Sequence, residues 1–107
     1  MENKIQSQMR KGILDFLILG IIKKGETYGA EIIEILKKSQ LIVVEGTIYP
    51  LLSRLKKEGF ISYYWQESDS GHPRKYFELT KTGEEALQIM TKNWKDIDNT
   101  VNQILFS

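Results

Sequence analysis

The side chains of this chain that could do chemistry are mostly cations and hydroxyls, and they fall in two clusters. Thr47, Tyr49, Ser53, Arg54, Lys56 and Lys57 form the first, and His72, Arg74 and Lys75 the second. Nucleophiles and metal ligands are scarce, with no cysteine and a single histidine, His72. Disulfides, cysteine-based metal sites and two-histidine catalytic sites are therefore excluded. No metal or cofactor is expected, and no enzyme, because a reaction needs reactive groups gathered in a pocket. His72 has no serine–carboxylate pair or ligand set near it and reads as a loop-tip residue touching a backbone or solvent. Cations and hydroxyls are suited to holding phosphates and hydrogen-bonding to base edges. The net charge is +1, from 15 Lys and Arg against 14 Asp and Glu. The whole chain is therefore no polyanion binder, and contact with nucleic acid needs the basic groups gathered on one face.

The first cluster must ride on a helix. Ile48, Leu51, Leu52 and Leu55 recur at helical spacing as one apolar stripe. The helix is predicted from Gly46 or Thr47 to Glu58, with Gly59 as its stop. Pro50 belongs in the first turn, where no amide bond is lost, so a start no earlier than Gly46 is expected. Thr47, Pro50, Ser53, Arg54 and Lys57 then face outward, with Tyr49 and Lys56 flanking. One side anchors the helix and the other offers donors, the division a recognition helix needs. A solvated surface helix has the same pattern, so this helix alone does not decide.

The second cluster belongs to a β-hairpin. Ile61, Tyr63 and Trp65 alternate with more polar neighbours over 61–67, as in a half-buried strand. Residues 68–73, SDSGHP, are rich in turn formers, and Arg74 to Leu79 reads as the returning strand. Arg74 and Lys75 follow a small, flexible tip of the kind that lies along or in a minor groove with its cations on phosphates. Two basic elements spaced like a helix and its wing are more specific than either alone.

The 107 residues make one domain at most, and 41% hydrophobic with 27% charged residues is a composition that folds. A first helix is predicted from about Ser7 to Lys24, after an N-terminal extension over 1–8, with Gly25 as its stop. Ile5, Met9, Ile13, Phe16 and Leu17 begin at helical spacing, and Leu14, Ile18, Leu19, Ile21 and Ile22 fill the remaining sides. A helix apolar all round needs cover on every side. Its greasy run from Ile13 to Ile22 falls well short of the ~20 residues of a bilayer span. No small-residue cleavage site follows, so a cytoplasmic chain without a membrane partner is expected. Thr27 is placed as N-cap of a second helix, Tyr28 to about Ser39. The run from Leu41 to Val44 reads as a minimal strand. Thr80, with Thr82 and Glu85 as a capping box, opens the last helix.

In that last helix Leu87, Met90, Trp94, Ile97, Val101 and Ile104 recur at alternating steps of three and four, an a/d seam. At about 24 residues the helix is about 36 Å long, more than a small domain covers. A homodimer through this helix and the partner's first helix is expected, with folding back on its own domain as the alternative. The predicted fold is mainly α (α+β), a winged helix-turn-helix over 1–80 with a long C-terminal dimerisation helix over 81–107. Trp94 lies on the seam, with Asp98 one turn on. An indole with a carboxylate below it suits a flat cationic aromatic, and Asp15 and Phe16 could face the same space. Plain packing of Trp94 in the seam is the competing reading.

Residues 46–61, GTIYPLLSRLKKEGFI, resemble the recognition-helix signature of the PadR family of repressors. Tyr28-Gly29 at the start of the second helix and residues 74–83, RKYFELTKTG, match as well. In specific order and spacing, these matches span most of the chain. The resemblance implies a winged-helix dimer that represses transcription until a small molecule or another signal relieves it. The single C-terminal helix is similar to that of the compact, multidrug-sensing members, in which a tryptophan at the matching point stacks on the drug. The tip holds one glycine where some members have two. On this reading Tyr28, Thr47, Tyr49, Ser53, Arg54, Lys56, Lys57, His72, Arg74 and Lys75 meet a double-stranded DNA operator. Thr47, Tyr49, Ser53 and Arg54 approach base edges, while Lys56, Lys57, Arg74 and Lys75 hold phosphates. Asp15, Phe16, Trp94 and Asp98 are candidates to bind a planar aromatic effector. A non-specific architectural DNA binder would use the same cations without base readout.

Overall fold

The computed structural model describes residues 1–39 and 45–107. Its elements run α1 (Glu2–Arg10), α2 (Ile13–Lys23), β1 (Thr27–Tyr28), α3 (Gly29–Lys38), α4 (Glu45–Lys57), β2 (Ile61–Gln66), β3 (Arg74–Leu79) and α5 (Lys81–Leu105). This is a winged helix with a long C-terminal helix. The strand expected over 41–44 lies outside the described residues. No helix among them is long and apolar enough to cross a membrane.

The core is three helices closed by a sheet. Ile18, Leu19 and Ile22 of α2, Ile32, Ile33 and Leu36 of α3, and Ile48, Leu52 and Leu55 of α4 are buried together with Ile61 and Phe77 of the strands. The expected single first helix is in fact two. Lys11 turns extended and Gly12 takes φ 87°, a left-handed conformation that favours glycine. The apolar spacing runs on through the break, so the sequence pattern hid it.

A second correction concerns Thr27. It does not cap a helix. It pairs with Phe77 while Tyr28 pairs with Tyr76, which adds β1 to the hairpin and gives the order β1-β3-β2. Tyr28 takes the N-cap position of α3 without a side-chain cap bond. The hairpin register runs from Ile61 opposite Leu79 to Gln66 opposite Arg74. Side chains opposite one another share a face, so Tyr63, Phe77 and Thr27 look inward and Tyr64, Tyr76 and Tyr28 outward. Trp65, expected to be half-buried, is 64% exposed, because its inward position lies beyond the edge of the core.

The start of α4 at Glu45 is earlier than expected, and Pro50 falls beyond the first turn. The helix therefore lacks one internal bond to the Gly46 carbonyl. It ends as expected at Gly59. Gly59 takes φ 83°, with Gly59 N–H on the Lys56 carbonyl and Phe60 N–H on the Leu55 carbonyl. Thr80 caps α5 alone, its Oγ1 accepting from Gly83 N at 3.0 Å. The expected Thr82–Glu85 box is not at the cap, because the third residue after Thr80 is Gly83.

Candidate nucleic-acid interface

A cleft of about 440 Å³ opens between the start of α3, one flank of α4 and β3. Leu52 and Phe77 form its apolar lining, and Tyr28, Tyr49, Ser53, Lys56, Arg74 and Lys75 surround it. Each is delivered by a local rule. On α4 the buried stripe turns Tyr49, Ser53 and Lys56 outward at helical spacing. On β3 the pleat sends Arg74 and Lys75 to opposite faces.

Aromatic rings hold these cations in place. The Arg74 guanidinium lies 4.5 Å from the Tyr28 ring centroid. Lys75 and Lys56 both approach the Tyr63 ring, at 3.9 and 5.0 Å. Such contacts fix a cation while leaving its hydrogen-bonding head open to an anion. Among the described residues, no carboxylate ion-pairs with Lys56, Lys57, Arg74 or Lys75. Tyr49 seats closely on Gly29, where a Cβ would lie 2.8 Å from Tyr49 Cε1. On the outer face of the sheet Tyr28 meets Tyr76 edge-on at 5.4 Å, and Tyr76 stacks on Tyr64 at 5.9 Å. The Tyr64 hydroxyl donates to Glu26, and that bond raises its pKa to about 12.

Four of the expected DNA-facing residues are not at the cleft. Thr47 and Lys57 are exposed on α4 outside it. His72 is exposed at the hairpin tip, where its carbonyl accepts from Ser68 Oγ and Gly71 turns with φ 82°. Arg54 is exposed but already paired within the protein. Its guanidinium is bound to Asp15 at 2.7 Å and to Glu58 at 2.7 Å. The hydrogen bond to Asp15, then that to Glu58, raises its pKa and keeps it charged. Asp15 is thereby paired within the protein. Asp98 accepts from Asn102 one turn on, at 3.3 Å. Phe16 is half-buried on α2, and Trp94 is 42% exposed on α5. Tyr63 and Gly29 were missed in the sequence. A symmetrical count about the hairpin turn puts Lys75 diagonal to Tyr63, and that signal was available.

The seam of α5 divides. Leu87 and Met90 pack against the chain's own core, while Trp94, Ile97, Val101 and Ile104 are exposed at 42, 55, 38 and 73%. The first part of the helix thus packs on its own core, and the rest projects beyond it.

Residues 18–89 match the family described as the transcriptional regulator PadR-like family. The chain is 29% identical over 92 residues to the negative transcriptional regulator PadR of Bacillus subtilis (strain 168), covering 83% of this chain and 50% of that protein. It therefore spans half the length of that relative. Among solved structures, a PadR-like transcriptional regulator from Bacillus cereus strain ATCC 14579 superposes with a TM-score of 0.84 at 40% identity, over 94% of this chain and 98% of that one. Bacillus subtilis PadR in complex with operator DNA superposes with a TM-score of 0.68 at 29% identity, over 75% of this chain and 46% of that one.

Proposed function

Since the chain belongs to the PadR-like family of transcriptional regulators, we propose that it is a dimeric, operator-specific repressor acting in the cytoplasm. The observation that carries the reading is the cleft. Lys56, Arg74 and Lys75, free of carboxylate partners among the described residues, converge there with Tyr49 and Ser53 in a chain whose net charge is only +1. In this reading α4 enters a major groove, with Thr47, Tyr49 and Ser53 at base edges. Lys56, Lys57, Arg74, Lys75 and the wing tip at His72 track the flanking phosphates, and Tyr28 steadies Arg74. Residues 1–80 form the DNA-binding unit, and α5 joins two of them.

Repression ends when an effector shifts the spacing of the two wings. Exposed Trp94, with Asp98 and Phe16, is the proposed platform for a planar aromatic cation. The test of the main reading is selection of bound sequences from random duplexes, followed by mapping of the enriched sites near promoters. A regulator enriches one motif and binds it about a thousandfold or more tighter than random DNA. Equal affinity for all duplexes would instead identify an architectural binder.

A further inference from the structure

Arg54 stands apart from the other cations of α4. At 100° per residue it lies about 140° round the helix axis from Tyr49 and about 160° from Lys56. It therefore projects from the flank turned away from the cleft. There its Nη2 donates to both carboxylate oxygens of Asp15 on α2, at 2.7 and 2.9 Å, and its Nη1 donates to Glu58 at 2.7 Å. The Asp15 side chain is only 19% exposed. Two carboxylates in contact offset most of the field that a phosphate would feel from this guanidinium. On the opposite flank α4 is held by Tyr49 against Gly29 and by Lys56 over Tyr63.

We infer that Arg54 is a positioning residue that fixes the roll of α4 about its own axis by clamping it to α2, and does not itself touch DNA. The inference rests on the reading of α4 as a recognition helix. Side-chain tips sit about 5–6 Å from a helix axis, so a roll of about 20° carries them about 2 Å sideways. A hydrogen bond to a base edge does not survive such a shift. The apolar stripe of α4 resists tilting more than rolling, because Ile and Leu contacts carry little direction. A planar guanidinium held by Asp15 of α2, and steadied by Glu58 at the end of its own helix, supplies that direction.

The test uses the full chain, a duplex selected by the wild type and a random duplex, each measured across a range of salt. Arg54→Ala and Asp15→Ala are both expected to lower the selected-to-random affinity ratio about tenfold. The double variant should lose little more than either single one. Neither should change the salt slope on random DNA by more than about half a unit, whereas Lys75→Ala should lower it by about one. A direct DNA contact gives opposite signs. Arg54→Ala would then reduce the salt slope, and Asp15→Ala would tighten binding by releasing the guanidinium. Either result overturns the clamp, as does an unchanged ratio in both variants. Arg54→Lys keeps the charge without the fork, so a full return of selectivity in it also overturns the clamp. Asp15→Asn replaces any variant whose circular dichroism shows loss of fold. If the wild type enriches no sequence, the regulator reading fails, while the slopes on random DNA still decide whether Arg54 touches the duplex.

Discussion

Tyr49 shows how a residue of the proposed DNA face depends on one that has no side chain. Its ring lies where a Cβ on Gly29 would sit, 2.8 Å from Cε1 and 3.3 Å from the hydroxyl. Gly29→Ala improves the helix preference of the first residue of α3 by up to about 1 kcal/mol, and the ring is a side chain that can swing away. Stability should therefore stay within about 1 kcal/mol of wild type in urea unfolding, while affinity for the selected operator falls about tenfold. Equal loss of both would make Gly29 structural only. Tyr64 offers a test by pH. Its pKa of about 12 in the folded chain stands above the ordinary value near 10, held there by the hydroxyl's bond to Glu26. The folded chain keeps this proton longer than the unfolded one, so the stabilisation is complete below about pH 10 and is lost as pH rises towards about 12. Unfolding midpoints across that window should fall less steeply for Tyr64→Phe than for wild type. At this scale the sequence identifies donors and cations, because residue type alone carries that information. It leaves out which of them are already engaged. Arg54 and Asp15 are paired across 39 positions of chain, and nothing local in either stretch marks the pair.

Between elements, the junction of α4, β2 and α5 ties the end of α4 to the start of the last helix. Thr80 N donates to the Phe60 carbonyl at 3.1 Å, and Thr80 Oγ1 donates to the Gly59 carbonyl at 2.6 Å. The first turn of α5 then presses on the same segment. A Cβ on Gly83 would stand 1.8 Å from the Phe60 carbonyl oxygen. Both partners there are backbone, fixed by the helix stop at Gly59 and by the cap at Thr80, so neither can move aside. Gly83→Ala should destabilise the chain by about 3 kcal/mol or more, read as a lower denaturation midpoint with an unchanged slope. A loss below about 1 kcal/mol would mean that α5 can shift freely against β2. The legibility of the elements follows the same physics. The hairpin and the stripe of α4 were readable because period two and period 3.6 are local signals repeated several times. β1 was not, since two residues carry no period and its partner, β3, lies far along the chain. The break at Gly12 was not, since apolar spacing on either side continues as if one helix ran through.

For the whole molecule, the length of α5 sets the question. Its 25 residues span about 37 Å, and only its first half reaches the core through Ala86, Leu87 and Met90. Past that point Trp94, Ile97, Val101 and Ile104 keep the seam spacing and are exposed, and Ile5 and Met9 of α1 are exposed as well. Apolar stripes of this kind are costly to leave in water, and a second copy offers a self-complementary cover of the same spacing. The wild type should therefore sediment at twice its 12.4 kDa chain mass. Ile97 makes the sharpest probe, because at 55% exposure it contributes little to the core of the single chain. Ile97→Asp leaves that core intact and places an unpaired carboxylate in the proposed dimer seam, where it costs several kcal/mol. Asn99→Asp adds the same charge about 160° away round the helix and serves as the control. Sedimentation at low micromolar concentration should find Ile97→Asp as a single chain that keeps its helical circular dichroism, and Asn99→Asp as a dimer. The selected duplex should then bind Ile97→Asp with a shallower salt dependence, because one wing domain instead of two meets the phosphates. A dimeric Ile97→Asp would move the interface off this stripe, leaving α1 and the early turns of α5 to supply it.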